Sequence, residues 1–152
     1  MRIQSVEVFP LTSQRPPYEV GKPIPEGWWG YDQTLLRVQT DDGVVGWGCS
    51  GTRWELVQAC LDVLKPHVIG ENALEPDRVA EKLHQATFWY GRGGAITAFV
   101  GGLNIALWDI LGQVCQQPVG RLLGGCYRDR VKPYASMLFT WPTDVMEKNL
   151  HE

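Results

Sequence analysis

The sequence predicts an α+β fold in which a three-stranded antiparallel meander is followed by a helical bundle. Three observations support this. Apolar and polar residues alternate in the first third of the chain, apolar residues recur at three and four positions after Gly51, and a long apolar run extends from Gly94 to Cys115. With 152 residues, 44% hydrophobic and 20% charged, the chain is about the size of one domain and too apolar to be disordered.

Charge and cysteine content exclude several classes of protein. The net charge of −3 is spread without long runs of one sign, so we expect no nucleic-acid partner. The N-terminus lacks the pattern of a signal peptide. The four cysteines form no C-x-x-C pair and stand at no zinc-ligand spacing from the three histidines. We therefore expect a reducing, cytoplasmic location.

The first predicted strand runs from Ile3 to Leu11, with Val6 and Val8 on one face and Pro10 ending it. The next stretch, from Ser13 to Tyr31, contains four prolines and three glycines and suits neither helix nor strand. We interpret it as a long ordered loop or flap.

A hairpin follows the loop. Two β-rich runs, Thr34 to Thr40 and Val44 to Gly48, flank Asp41-Asp42-Gly43, a sequence typical of a tight turn. Together with the first strand they predict the three-stranded meander.

Two amphipathic helices come next. The first contains Leu56, Val57, Cys60, Leu61 and Leu64, and Pro66 is expected to stop it. The second begins at Glu75-Pro76-Asp77 and is expected to end near Gly91, with an apolar stripe formed by Val79, Leu83, Ala86 and Tyr90.

The third helix, Gly94 to Cys115, is apolar around its whole circumference and is predicted to be buried. It is long enough to span a bilayer. However, Asn104 and Asp109 would be costly in hydrocarbon and no basic residues flank the segment, so we expect no membrane span. Asp109 is expected to accept hydrogen bonds, or a salt bridge from Arg121 or another base.

The last part of the chain predicts the beginning of a second domain. A strand is expected from Val131 to Phe139 and a helix from Thr143, which together cannot bury their apolar residues. They suit the first strand and helix of a (β/α)-barrel, giving domains of 1–125 and 126–152. Asp144, Glu147 and His151 are assigned to a solvated helix face, not to a metal site.

Several motifs together resemble one family. Asn104 through Gln113 (NIALWDILGQ), Pro118-Val119 and Leu122-Leu123-Gly124-Gly125 resemble the end of the N-terminal capping domain of mandelate racemase and muconate lactonizing enzymes, in the enolase superfamily. The hairpin, with Leu35-Leu36-Arg37-Val38 and Asp42-Gly43-Val44-Val45-Gly46-Trp47-Gly48, is similar to that of the family.

The resemblance implies a cap that closes over the end of a barrel. In such an enzyme the barrel holds Mg²⁺ on three carboxylates and carries the bases that remove a proton next to a substrate carboxylate. None of these groups is expected within residues 1–152, so we expect no catalytic residue, no bound metal and no activity from this chain alone. The cap loops, Ser13–Tyr31 and Cys49–Arg53, would contact the substrate, and the candidate residues are Tyr18, Trp28, Trp29, Tyr31, Ser50 and Arg53.

The preferred reaction is dehydration of an acid sugar, because polar and aromatic loop residues suit a hydroxylated carboxylate substrate. A racemase or cycloisomerase of the same group remains open, as does a non-catalytic interaction module that pairs through the strand at 131–139. A homo-oligomer is also expected.

Overall fold

The computed structural model describes residues 1–11, 33–90, 93–134 and 147. The chain divides into two units, one made of residues 1–14 and 30–125, the other of residues 15–29 and 126–152. The first unit contains every strand and helix whose bounds follow. These are β1 (Ile3–Leu11), β2 (Gln33–Thr40), β3 (Val45–Ser50), α1 (Trp54–Val68), α2 (Pro76–Ala86), a 3₁₀ turn (Phe88–Tyr90), α3 (Gly94–Cys115) and α4 (Val119–Leu122).

The sheet has the order β1-β2-β3 with antiparallel neighbours, which confirms the predicted α+β fold. A bulge between Ile3 and Ser5 shifts the register by one residue. Ile3 and Val6, three positions apart, are therefore both buried. The predicted bounds of this strand, Ile3 to Leu11, are confirmed, although Pro10 does not itself end it but pairs with Thr34. An edge strand tolerates proline where its nitrogen faces away from the neighbouring strand.

The β2–β3 turn forms as predicted. The Thr40 N–H donates to the Val44 carbonyl at 2.9 Å, and Gly43 has a positive φ of 84°, which glycine adopts without steric cost. The strand that follows runs two residues beyond the predicted end, to Ser50.

Helix α1 continues through Pro66 to Val68, so the prediction that proline stops it is wrong. Pro66 removes one hydrogen bond to the carbonyl of Asp62, which lies on the exposed face where water can replace the lost donor. Burial of Val68 anchors the last turn. Leu56, predicted to face the core, is 51% exposed.

Helix α2 ends at Ala86, earlier than predicted. The buried Thr87 hydroxyl donates to the Leu83 carbonyl at 2.8 Å, and the 3₁₀ turn follows. Tyr90 in that turn is 66% exposed, so it does not extend the buried stripe of Val79 and Leu83.

Helix α3 has the predicted bounds, but the expectation of burial on all sides is wrong. Ile105 and Val114 are 49% and 42% exposed, and the helix packs on the sheet through its opposite face. Among the described residues, α3 is the one helix that is long enough and apolar enough to cross a membrane. The buried core helix of a globular protein can have the same length and composition. Its buried residues are Phe99, Val100, Gly102, Leu103, Ala106, Leu107, Ile110 and Gly112.

Two glycines of β3 set the distance between the sheet and α3. A Cβ atom added to Gly46 would overlap the Ala106 carbonyl oxygen, and one added to Gly48 would overlap that of Gly102. The backbones of β3 and α3 therefore meet without intervening side chains. This close backbone contact fixes the distance between the sheet and α3.

The described residues after α4 contain no strand. Residues 131–134 belong to neither a helix nor a strand, so the strand predicted at 131–139 is not formed over its first four positions. Its remaining positions lie outside the described residues. Of the helix predicted from Thr143, only Glu147 is described, and it is helical and exposed.

Candidate functional site

Two connections leave the sheet at the same end. Leu11 at the end of β1 pairs with Gln33 at the start of β2, and Thr34 pairs with Ser50 at the end of β3. Residues 12–32 therefore begin after β1 and the bend at 51–53 begins after β3, at the two strand ends that flank the start of β2. Residues 12–32 lie outside the described residues, and so do four of the predicted substrate-binding residues, Tyr18, Trp28, Trp29 and Tyr31.

The bend at 51–53 is held by two hydroxyl groups. Thr34 Oγ1 donates to the Thr52 carbonyl at 2.7 Å, and the Thr52 N–H donates to Ser50 Oγ at 3.4 Å. Ser50 is only 3% exposed, so its hydroxyl is used inside the bend in this structure. Its predicted contact with substrate stays a prediction.

Arg53 occupies the N-cap position of α1. Its carbonyl accepts hydrogen bonds from the N–H groups of Leu56 and Val57, both at 3.1 Å. The side chain is 70% exposed and forms a bidentate pair with Glu55, with Nη2–Oε1 at 3.0 Å and Nε–Oε2 at 3.3 Å. Hydrogen bonding from Arg53 holds the pKa of Glu55 below its usual value.

A guanidinium with this geometry can bind carboxylate or vicinal hydroxyl oxygens. In the described part of the chain its bidentate partner is the Glu55 carboxylate. A ligand carboxylate would have to compete with that side chain. The predicted contact of Arg53 with substrate stays a prediction.

The outer edge of β3, the side that faces away from β2, is hydrogen-bonded by side chains of α3. The Trp47 N–H donates to Asp109 Oδ2 at 2.9 Å, and Gln113 Nε2 donates to the Val45 carbonyl at 2.8 Å and to Asp109 Oδ2 at 3.2 Å. Asp109 thus accepts hydrogen bonds as predicted. Arg121 is not its partner, because Arg121 Nη1 donates to Gln117 Oε1 at 3.2 Å.

A groove of about 400 Å³ lies between β1 and α1, away from the residues of the 51–53 bend. Its lining mixes apolar and charged side chains, including Val8, Leu61, Glu7, Asp62 and Lys65. The groove brings together none of the predicted site residues.

The described residues do not fit a magnesium site. Within 1–11, 33–90, 93–134 and 147, no three His, Cys, Asp or Glu side chains are grouped closely enough to hold a metal ion. No chemical step through a metal is therefore derived for this part of the chain.

An antiparallel meander backed by a core helix places the described residues in the α+β class of domain. Residues 31–124 match the model of the family described as "Mandelate racemase / muconate lactonizing enzyme, N-terminal domain". The chain belongs to this family, which confirms the resemblance seen in the sequence.

Individual relatives agree with the family. The chain is 34% identical over 127 residues to a D-galactonate dehydratase of Verminephrobacter eiseniae, covering 82% of this chain and 31% of that protein. A solved enolase-superfamily member from Polaromonas sp. JS666 is 26% identical with a TM-score of 0.81, and the match covers 99% of this chain and 41% of that one. Another, from Agrobacterium tumefaciens, is 32% identical with a TM-score of 0.69, covering 82% and 38%.

The chain thus spans about a third of the length of the curated relative. The activity, substrate and cofactor of that whole protein come to this chain only as proposals.

Proposed function

We propose that this chain is the substrate-capping N-terminal portion of a magnesium-dependent enolase-superfamily enzyme that abstracts a proton α to a carboxylate and dehydrates an acid sugar. The observation that carries the proposal is the 34% identity to a D-galactonate dehydratase over 82% of this chain. An acid sugar combines a carboxylate with several hydroxyl groups, which suits the polar and aromatic residues of the two predicted loops.

The architecture supports a capping role in one specific way. The backbones of β3 and α3 are in close contact, and the two connections start from the ends of β1 and β3, each of which pairs with the start of β2. Selectivity in enzymes commonly comes from loops that a rigid scaffold positions. We infer that Ser50 and Arg53 on the bend, and Tyr18, Trp28, Trp29 and Tyr31 on the longer connection, select the distal end of the substrate.

The catalytic machinery is proposed to lie on a barrel domain beginning near residue 126, with the cap comprising residues 1–125. The magnesium ligands and the proton-abstracting bases would belong to later strands of that barrel. We place the enzyme in the cytoplasm, as a homo-oligomer acting on a small carboxylate substrate.

A racemase or cycloisomerase of the same group is the second candidate, since it would share the cap and the proton abstraction. The third candidate is a non-catalytic interaction module that pairs through 131–139, and the identity to a dehydratase favours the enzyme over it.

The test is an assay of the proposed longer enzyme, in which this chain is joined to its barrel domain, with Mg²⁺ and a panel of acid sugars including D-galactonate. We expect loss of water and formation of a 2-keto-3-deoxy acid, abolished by a metal chelator. Epimerised product with the hydroxyl groups intact would favour the racemase. No Mg²⁺-dependent reaction with any acid sugar would contradict the proposal.

A further inference from the structure

We propose that Thr34 is a positioning residue, whose hydroxyl fixes the bend at 51–53 and thereby sets the direction in which the Arg53 side chain leaves the sheet. The inference rests on the proposed function, in which Arg53 is a candidate contact for the acid sugar. It assigns to β2 a part in substrate selection.

The Thr34 hydroxyl is placed to act on the bend rather than on solvent. Thr34 is 1% exposed and is the second residue of β2, and its Oγ1 donates to the Thr52 carbonyl at 2.7 Å. Because the hydroxyl is buried, water cannot readily replace it if it is removed. The Thr52 carbonyl would then lose its partner at a site that is partly shielded from solvent.

The position of the acceptor explains why this bond matters for Arg53. The Thr52 carbonyl belongs to the planar peptide unit that joins Thr52 to Arg53, so the Thr34 hydroxyl orients the plane on one side of the Arg53 Cα. The plane on the other side is fixed by the first turn of α1, because the Arg53 carbonyl accepts the N–H groups of Leu56 and Val57. With both planes held, the Cα–Cβ direction of Arg53 is determined.

Other contacts strengthen the same arrangement. The Thr52 N–H is bonded to Ser50 Oγ, and Glu55 holds the guanidinium in a bidentate pair. A side chain that is ordered before a ligand arrives loses less entropy on binding. Removing the Thr34 hydroxyl should therefore weaken ligand binding through Arg53 without altering groups that touch the reacting atoms.

Thr40 provides a matched control at the other end of β2. It is also buried, at 0% exposed, and its hydroxyl also bonds a turn, donating to the Val44 carbonyl and accepting the Val44 N–H, both at 3.1 Å. Thr34→Val and Thr40→Val thus remove the same group from the same strand. Only the first faces the 51–53 bend.

The experiment is amide hydrogen exchange measured by NMR on the 152-residue chain. Thr34→Val should speed exchange of the Thr52 and Leu56 amides about tenfold, the scale of one lost hydrogen bond, and leave Val44 unchanged. Thr40→Val should do the reverse. Thr34→Ser, which keeps the hydroxyl, should restore wild-type exchange at Thr52. Unchanged exchange at Thr52 and Leu56 in folded Thr34→Val would overturn the inference.

A measurement on the unmodified chain covers the case in which Thr34→Val does not fold. The Thr34 hydroxyl proton should exchange slowly enough to be observed and should show a cross-peak to residue 52. A hydroxyl proton that exchanges too fast to detect would contradict the hydrogen bond.

Kinetics of the longer enzyme then separate this inference from the proposed function. Thr34→Val should raise KM for the acid sugar several-fold with kcat nearly unchanged, and Thr34→Ser should restore it. If hydrogen exchange behaves as expected but the enzyme acts on no acid sugar, the proposed function alone fails. If the enzyme dehydrates an acid sugar and Thr34→Val leaves KM unchanged, the positioning role fails.

Discussion

Asp109 forms a hydrogen bond to the edge of β3 that a neighbouring strand would otherwise form. β3 has no further neighbour in the described sheet, and Asp109 and Gln113 of α3 bond the Trp47 N–H and the Val45 carbonyl that another strand would have used. Such capping protects an edge from pairing with another chain. Asp109, part of the motif that carries the family resemblance, thus has a structural explanation.

We predict that Asp109→Ala lowers the free energy of unfolding by about 1–2 kcal/mol, because the Trp47 N–H and Gln113 both lose a charged acceptor. Asp62→Ala is the control, since its exposed carboxylate bonds only Gln58 within the described residues, at 2.8 Å, and its loss should cost less than about 0.5 kcal/mol. Urea denaturation measures both variants. Equal effects would show that Asp109 does not secure the edge.

Glu71 makes stability depend on acid pH. It accepts hydrogen bonds from Lys82 Nζ and Arg78 Nη2, both at 2.6 Å, which hold its pKa below the ordinary value of 4.5. A lowered pKa in the folded state means that the stabilisation is complete above 4.5 and is lost as pH falls through the folded pKa.

Glu71→Gln should therefore reduce stability at pH 7 and flatten the loss of stability below pH 4.5. Because Arg78 and Lys82 are about half exposed, we expect a small effect, under about 1 kcal/mol. Glu81→Gln is the control, because it also removes one negative charge but Glu81 bonds Gln85 and not Arg78 or Lys82. Urea midpoints across pH test the prediction, and identical acid limbs in wild type and Glu71→Gln would contradict it.

At the scale of elements, the contact between β3 and α3 determines the packing of the domain. Gly48→Ala would push a Cβ atom into the Gly102 carbonyl and to 2.9 Å from the Ala106 nitrogen, both of which are backbone atoms that cannot rotate away. We predict a loss of at least about 2 kcal/mol. Gly101 lies on the exposed face of the same helix with nothing within 4 Å of an added Cβ.

Gly101→Ala should therefore stabilise the domain by about 0.5–1 kcal/mol, since alanine is the better helix former. Thermal melting of the two variants tests the pair of expectations. A Gly48→Ala protein as stable as wild type would show that the two layers do not depend on this close contact.

The periodicity of apolar residues predicted a strand or helix well where one face of that element is buried. The meander and the exact bounds of α3 follow from alternation and from a long apolar run with no interruption. Pro66 and Tyr90 were misjudged because local rules ignore what a residue packs against. An exposed carbonyl tolerates the proline, and the buried Thr87 hydroxyl ends the apolar stripe before Tyr90.

The candidate site was only partly predictable. Arg53 stands out in sequence as a cation in a short bend after a strand. Thr34 does not, because its role depends on pairing β2 with β3 in a register that brings its hydroxyl to the Thr52 carbonyl. A threonine at the start of a strand next to a long connection is the only signal available beforehand.

At the scale of the molecule, the chain contains the N-terminal domain of its family. The proposal adds that this domain binds the substrate while the reacting groups belong to a second domain. Binding groups held on a rigid sheet can serve an active site that another domain completes.

The most direct test is Mg²⁺-dependent turnover of D-galactonate and related acid sugars by the purified 152-residue chain, compared with the longer protein. We predict that the chain melts cooperatively yet shows no turnover at any magnesium concentration, whereas the longer protein forms the 2-keto-3-deoxy product. Turnover by the short chain that scales with its concentration and with Mg²⁺ would contradict the account.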